Sequence, residues 1–312
     1  MKRKTFMVLW FAVFSLVSLF PLVSADDDSF RSVSGTTNWQ KVLLDERQSK
    51  DDEFKHSPTS PMAGVKRFTI NGQEKTFIME NNGEVTLSLE KDAGAAFSLL
   101  YSDDKWSWEC CNTTVTCSSG DETLHTGSVL PGRVVYNVGR CTLVCYPSTG
   151  KLTLIVFDPR RPQLQEFSHL LYFPPDPQYA VSAVLEKFSK TEEIKILTSR
   201  NEVKIYHRYA KIHFQLDGKP LQLTAFKFSL DENDPESGYL FIPFSDATSG
   251  KETYEVGRFL EIHEPENSRF ILDFNRCFNP LCNYAPVYNC PLPPLENHLE
   301  VPIKAGEKTY PH

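Results

Sequence analysis

Beyond residue 25 the sequence has no apolar run near the ~20 residues that span a bilayer, so the body of the chain is not expected to cross a membrane as a helix. It has no excess of positive charge either. Thirty-three Lys+Arg against 40 Asp+Glu leave a formal net charge of −7, which argues against nucleic acid as a partner. Standard catalytic signatures are missing. There is no G-x-S-x-G, no H-E-x-x-H, no G-x-x-x-x-G-K-[ST] and no G-x-G-x-x-G. His263-Glu264 is followed by Asn267 where a zincin needs His, and Thr248-Ser249-Gly250-Lys251 lacks the other glycine of a phosphate loop. No C-x-x-C pair occurs, so neither a common zinc module nor any other metal site or cofactor is implied. A disordered composition is absent too, because 40% hydrophobic and 23% charged residues suit a chain with a real core.

What is present begins with a targeting segment. Lys2, Arg3 and Lys4 precede an apolar run from Phe6 to Phe20, then Pro21, then Val23-Ser24-Ala25, and Asp26 ends the apolar character. This is the layout of a cleaved secretory signal over residues 1–25, and the run is short for a bilayer anchor. The expected location is therefore secreted or within an endomembrane lumen. Removal of three basic residues and no acidic ones leaves 287 residues with 30 Lys+Arg against 40 Asp+Glu, a net charge of −10.

Residues 26–36 read as a polar, disordered leader, and 37–64 as a helix and linker that Thr37 caps and Ser57-Pro58 ends. Nearly everything after Val65 alternates with period two between turn signals: a β unit over 65–172 and a second over 173–312, hinged at Phe173-Pro174-Pro175-Asp176-Pro177. Asn71-Gly72, Asn82-Gly83 and Asp217-Gly218 are hairpin signals. The fold class is all-β, an antiparallel sandwich or barrel-like sheets with a short N-terminal helix. Five prolines and three cysteines between Cys277 and Pro294 exclude a regular element and predict an ordered irregular loop.

Eight cysteines, Cys110, Cys111, Cys117, Cys141, Cys145, Cys277, Cys282 and Cys290, in an exported chain point to disulfides. Their 105 possible pairings stay open. Adjacent Cys110 and Cys111 are poorly placed to join each other, and Cys282 with Cys290 is the best local pair. Five lie before the proline hinge and three after it, so full pairing needs at least one bridge between the halves. Asn112-Thr113-Thr114 is an N-glycosylation sequon.

Two arginines stand out. Strict alternation places Arg208 on one face with Tyr206, Ala210, Ile212, Phe214 and Leu216, and Arg258 with Val256, Leu260 and Ile262. A guanidinium on an apolar face must be paired or must line a wet cavity. Asp246 and Asp273, each at a strand end, are the candidate partners, with Thr248, Tyr254, Asn275 and Asn279 completing a polar set. One reading is a buried pair that fixes sheet register. The other is a forked arginine holding an anionic or polyhydroxylated ligand.

The string Phe244 to Tyr254, Gly257-Arg258, Asp273-Phe274-Asn275, Asn279-Pro280-Leu281-Cys282, Cys290 to Pro294 and Ala305-Gly306-Glu307 resembles a domain-of-unknown-function family widespread in bacteria and often exported. The resemblance spans roughly residues 37–308. It implies an extracytoplasmic β-rich protein and supplies no reaction. Cys277-Phe278 and Asn283 depart from the family pattern without removing a charged motif residue. Three functions are then open: a non-catalytic protein binding a small anionic or saccharide ligand, a hydrolase using Asp246 and Asp273 as paired carboxylates, and a structural envelope or matrix protein.

Overall fold

The computed structural model describes residues 33–92, 94–111, 115–119, 122–129 and 134–311. The signal segment, the first part of the polar leader and the Asn112 sequon lie outside them, and Cys117 is described by its backbone alone. No helix among the described residues is long and apolar enough to cross a membrane. The chain forms two compact units, one from Glu53–Phe167 and one from Ser168–His312 together with helix residues up to Asp52.

Helix α1 runs Val33–His56. It begins before the expected start, so residues 33–36 are helical and Thr37 lies inside the helix. No proline interrupts the stretch, and a helix continues until something removes its donors. Ser57-Pro58 ends it as expected.

The N-terminal unit carries β1 (Gly64–Asn71), β2 (Thr76–Asn81), β3 (Glu84–Ser88), β4 (Ala95–Ser102), β5 (Lys105–Cys110), β6 (Val115–Ser119), β7 (Glu122–Leu124), β8 (Thr126–Ser128), β9 (Val134–Val138), β10 (Cys141–Ser148) and β11 (Lys151–Phe157). They make a six-stranded sheet, β1-β11-β10-β9-β6-β7, and a five-stranded one, β3-β2-β4-β5-β8. Inward residues of both, among them Ile78, Phe97, Trp108, Tyr136, Leu143 and Leu154, form one core. Asn82 and Gly83 take φ of 52° and 85° and close the β2–β3 hairpin as expected. Asn71-Gly72 does not close a hairpin. β1 pairs with β11 and β2 with β3 and β4, so this dipeptide turns a corner between sheets. Gly72 is needed there because a Cβ would sit 2.5 Å from the Tyr101 side chain.

The C-terminal unit carries β12 (Ala180–Leu197), β13 (Val203–Leu216), β14 (Lys219–Lys227), β15 (Tyr239–Asp246), β16 (Arg258–His263), β17 (Arg269–Asp273) and the short β18 (His298–Leu299). The order is β16-β15-β14-β13-β12-β17, antiparallel, with β18 alongside β15. Asp217 and Gly218, at φ of 51° and 74°, close the β13–β14 hairpin as predicted. One face of this sheet buries Ala210, Ile212, Phe214, Leu240, Ile242, Phe244 and Leu260 against Leu299, Val301, Ile303 and Ala305 of the tail. The tail itself is irregular, with one-turn helices at Phe274–Arg276, Leu281–Asn283 and Leu295–Asn297, each opened by a turn that proline or aspartate imposes.

Candidate functional site: three polar nodes under the tail

Arg258 sits at the start of β16 with its side chain fully out of solvent. One terminal nitrogen donates to Asp246 Oδ2 at 2.8 Å and to the Ile303 carbonyl at 2.8 Å. The other donates to the carbonyls of Ala305 and Glu307. Asp246 completes the node from the end of β15. Its Oδ1 accepts from Thr248 N at 2.8 Å, Thr248 Oγ1 at 2.6 Å and Ile303 N at 3.2 Å. Arg258 therefore ties the sheet to the backbone of a tail more than forty residues away in sequence. The carbonyl fork satisfies groups an irregular tail cannot pair internally. Gly257, just before it, takes φ +114°, and a Cβ there would lie 2.4 Å from the Phe244 carbonyl. Gly257→Ala should cost about 2 kcal/mol or more, read as a lowered urea midpoint.

Asp273 and Asn275 form a second node. Asp273 Oδ1 caps the turn after β17 by accepting from Asn275 N at 3.0 Å and Asn275 Nδ2 at 2.9 Å. Its Oδ2 takes the indole N–H of Trp39 from α1 at 2.9 Å and faces Arg276 at 3.4 Å. Asn275 also bonds the backbone of Asp176 at both its N–H and its carbonyl. Asp246 and Asp273 thus belong to separate hydrogen-bond sets, each beside its own arginine.

Asn279 belongs to a third node that the alternation argument missed. Its centre is Glu307, 1% exposed. Glu307 Oε1 accepts from Lys50 of α1 at 2.6 Å, and Oε2 from Tyr284 OH at 2.6 Å and Asn279 N at 2.8 Å. Burial, and then the charge of Glu307, push the Tyr172 and Tyr284 phenols up, so both stay protonated. Asn279 Oδ1 and Arg47 Nε are buried here without a hydrogen-bond partner, while Lys50 keeps 24% of its side chain in solvent. The sequence signal was the Ala305-Gly306-Glu307 motif, but nothing local announces that Glu307 meets Lys50.

Two expected members stand apart. Arg208 does not share the apolar face of Ala210. The β13–β14 register slips between Arg208 and Ala210, and such a bulge re-aims a side chain. Arg208 is half-exposed, paired with Glu296 and packed 4.8 Å over the Phe188 ring. Tyr254 OH lies 3.6 Å from Cys282 Sγ.

On the other face of the sheet, opposite Phe241, Glu261 holds Oε1 out of solvent with no partner. Burial, reinforced by Glu236, pushes its carboxyl up to about 8, and Glu236 itself goes up to about 7. Among the described residues no group of three or more His, Cys, Asp or Glu could hold a metal ion. In the N-terminal unit an open groove of about 240 Å³ between Thr69, Asn71, Thr76, Ser88 and Leu89 presents no charged group.

Residues 165–308 match the family described as "Protein of unknown function (DUF1684)". The solution NMR structure of an uncharacterized protein from Haloarcula marismortui is 36% identical over 49% of this chain and 83% of that one, with a TM-score of 0.40. A comparison with curated proteins finds no match.

Proposed function

This chain belongs, through a domain covering residues 165–308, to the DUF1684 family of proteins of unknown function, and from that premise we propose that it is a non-catalytic extracytoplasmic protein holding a small polyhydroxylated or anionic ligand at the Lys50–Glu307 node. The observation that supports this reading is the set of orphaned polar atoms there. Asn279 Oδ1 and Arg47 Nε are buried and unbonded beside an ion pair whose cation reaches solvent. Buried polar groups are normally satisfied; a sugar hydroxyl supplies both a donor and acceptors, and a carboxylate supplies acceptors. The Arg258–Asp246 node then serves as the rigid floor of the site. A hydrolase reading is weakened because Asp246 is spent on Arg258 and Thr248, and Asp273 on Trp39 and Asn275.

The test is a thermal-shift panel of free monosaccharides and small mono- and dicarboxylates against the full mature chain. At least one compound should raise Tm with concentration, as mass action requires. Lys50→Met should keep the fold but lower apparent affinity by about 10-fold or more, the scale of a lost charge-assisted hydrogen bond. A panel in which no compound shifts Tm, or equal shifts in Lys50→Met, would count against the reading.

A further inference from the structure

Among the cysteines with described side chains, Cys111, Cys141, Cys277, Cys282 and Cys290 are free thiols in this structure. Their environments differ sharply. Cys277 is fully buried, points its thiol at the Phe274 carbonyl at 2.6 Å and is pushed up to about 12 by burial. Cys141 is pushed up to about 11, again mainly by burial. Such thiols are inert.

Cys282 and Cys290 are arranged otherwise. Cys282 lies in the one-turn helix Leu281–Asn283 and is half-buried. Its backbone N–H donates to Cys290 Sγ at 3.3 Å, which brings the second sulfur against the first residue's backbone. Tyr254 OH reaches Cys282 Sγ at 3.6 Å. Cys290 is buried and its position is fixed by the sheet. Its N–H donates to Ser199 Oγ at 3.1 Å, its carbonyl accepts from Ser199 N at 2.8 Å, and Pro291 bridges Thr198. The pair therefore has one accessible sulfur stabilised by donors and one sheltered sulfur beside it.

We propose that Cys282 and Cys290 form a reactive dithiol that reduces an external disulfide, with Cys282 as the attacking sulfur and Cys290 as the resolving one. The Cys282 thiolate attacks one sulfur of R–S–S–R. The S–S bond breaks, one RS⁻ leaves and takes up from solvent the proton that Cys282 released on ionising, and a mixed disulfide forms at Cys282. Cys290 then attacks the Cys282 sulfur, the second RS⁻ leaves, and the Cys290 proton passes to that departing thiolate. The protein loses two electrons as its dithiol becomes the Cys282–Cys290 disulfide, and the external disulfide becomes two thiols. The protonation states suit these roles. Hydrogen bonding from Cys290, helped by Tyr254 and Ser199, holds the Cys282 thiol down at about 7, while burial holds Cys290 up. A thiol near neutrality is the effective attacker, since the thiolate is the nucleophile. Tyr254, the motif tyrosine, then has a role as a donor to that thiolate.

The experiment uses the full mature chain, reduced and desalted, then exposed to oxidised glutathione and mapped by peptide mass spectrometry. Wild type should close Cys282 to Cys290 with no retained adduct. Cys290→Ser should stop at a glutathione adduct on Cys282, and Cys282→Ser should leave Cys290 unmodified. Iodoacetamide should alkylate Cys282 with a midpoint near pH 7 and at least ~10-fold faster than Cys290 at neutral pH, following their thiolate fractions. Reduced glutathione should reopen the bridge. No adduct on Cys282 in Cys290→Ser, equal reactivity of both thiols, or a bridge that reduced glutathione cannot open would each overturn the proposal. The last result would mean a purely structural disulfide.

Discussion

Arg258→Met should lower the unfolding free energy by about 3–5 kcal/mol, the cost of breaking a buried pair from one side. Methionine fills much of the volume but supplies no donor. Asp246 would keep its bonds from Thr248 and Ile303 N yet lose the countercharge that offsets its burial. The carbonyls of Ile303, Ala305 and Glu307 would lose their donor together, and each buried unsatisfied group costs ~1–3 kcal/mol. Urea denaturation checks this, and the double substitution Arg258→Met with Asp246→Asn gives the sign of the pair term. The double variant should be more stable than Arg258→Met alone, because no uncompensated charge remains. A loss under about 1 kcal/mol for Arg258→Met would mean that the tail does not depend on this clasp.

The second large effect concerns pH. Glu261, on the opposite face from that clasp, has its folded carboxyl raised from 4.5 to about 8 by burial and by Glu236. Glu236 and, more weakly, Lys50 are the charged groups that act on it, and its own charge raises Tyr206 and Tyr239. As pH climbs through 4.5, the unfolded chain releases this proton while the folded chain keeps it. Stability must therefore fall between about pH 4.5 and 8 and level off above. A shift of this size corresponds to a few kcal/mol, on the order of 3–5. Glu261→Gln cannot ionise, so it should match wild type within ~1 kcal/mol at pH 5 and exceed it by ~3 kcal/mol at pH 9. Urea unfolding at those two pH values reads the difference directly. Glu264 acts in the opposite sense and in another window. Hydrogen bonds from Lys187, Lys227 and Tyr209 outweigh its burial and hold it down at about 2, so its contribution is lost only as pH falls below 4.5.

Much of this architecture could be read from local sequence. The strands from Ala180 to Asp273 follow the alternation closely, because side-chain period is a local property of extended chain. Asn82-Gly83 and Asp217-Gly218 made the turns their backbone freedom favours. Asn71-Gly72 has the same chemistry and a different outcome, because hairpin formation also needs the two flanking strands to prefer each other. β1 found a better partner in β11.

The candidate site was legible in its residue types and less so in its grouping. Asp246 and Asp273 were both candidate partners for the arginines, and Asp246 is the one that Arg258 meets. Arg208 was assigned to the wrong face, since a single bulge reverses alternation. Asp273 was expected near Asp246 and instead caps its own turn and receives Trp39. Glu307 and Lys50 are 257 residues apart, and no periodicity links them. By itself, the sequence determined most strands, the Asn82-Gly83 and Asp217-Gly218 turns and the need for every buried charge to find a counterpart, all of which follow from short-range sterics and solvation. Only the tertiary structure decided which counterpart each charge met. That choice depends on strand order, bulges and the path of an irregular tail, and these are set by packing across the whole unit.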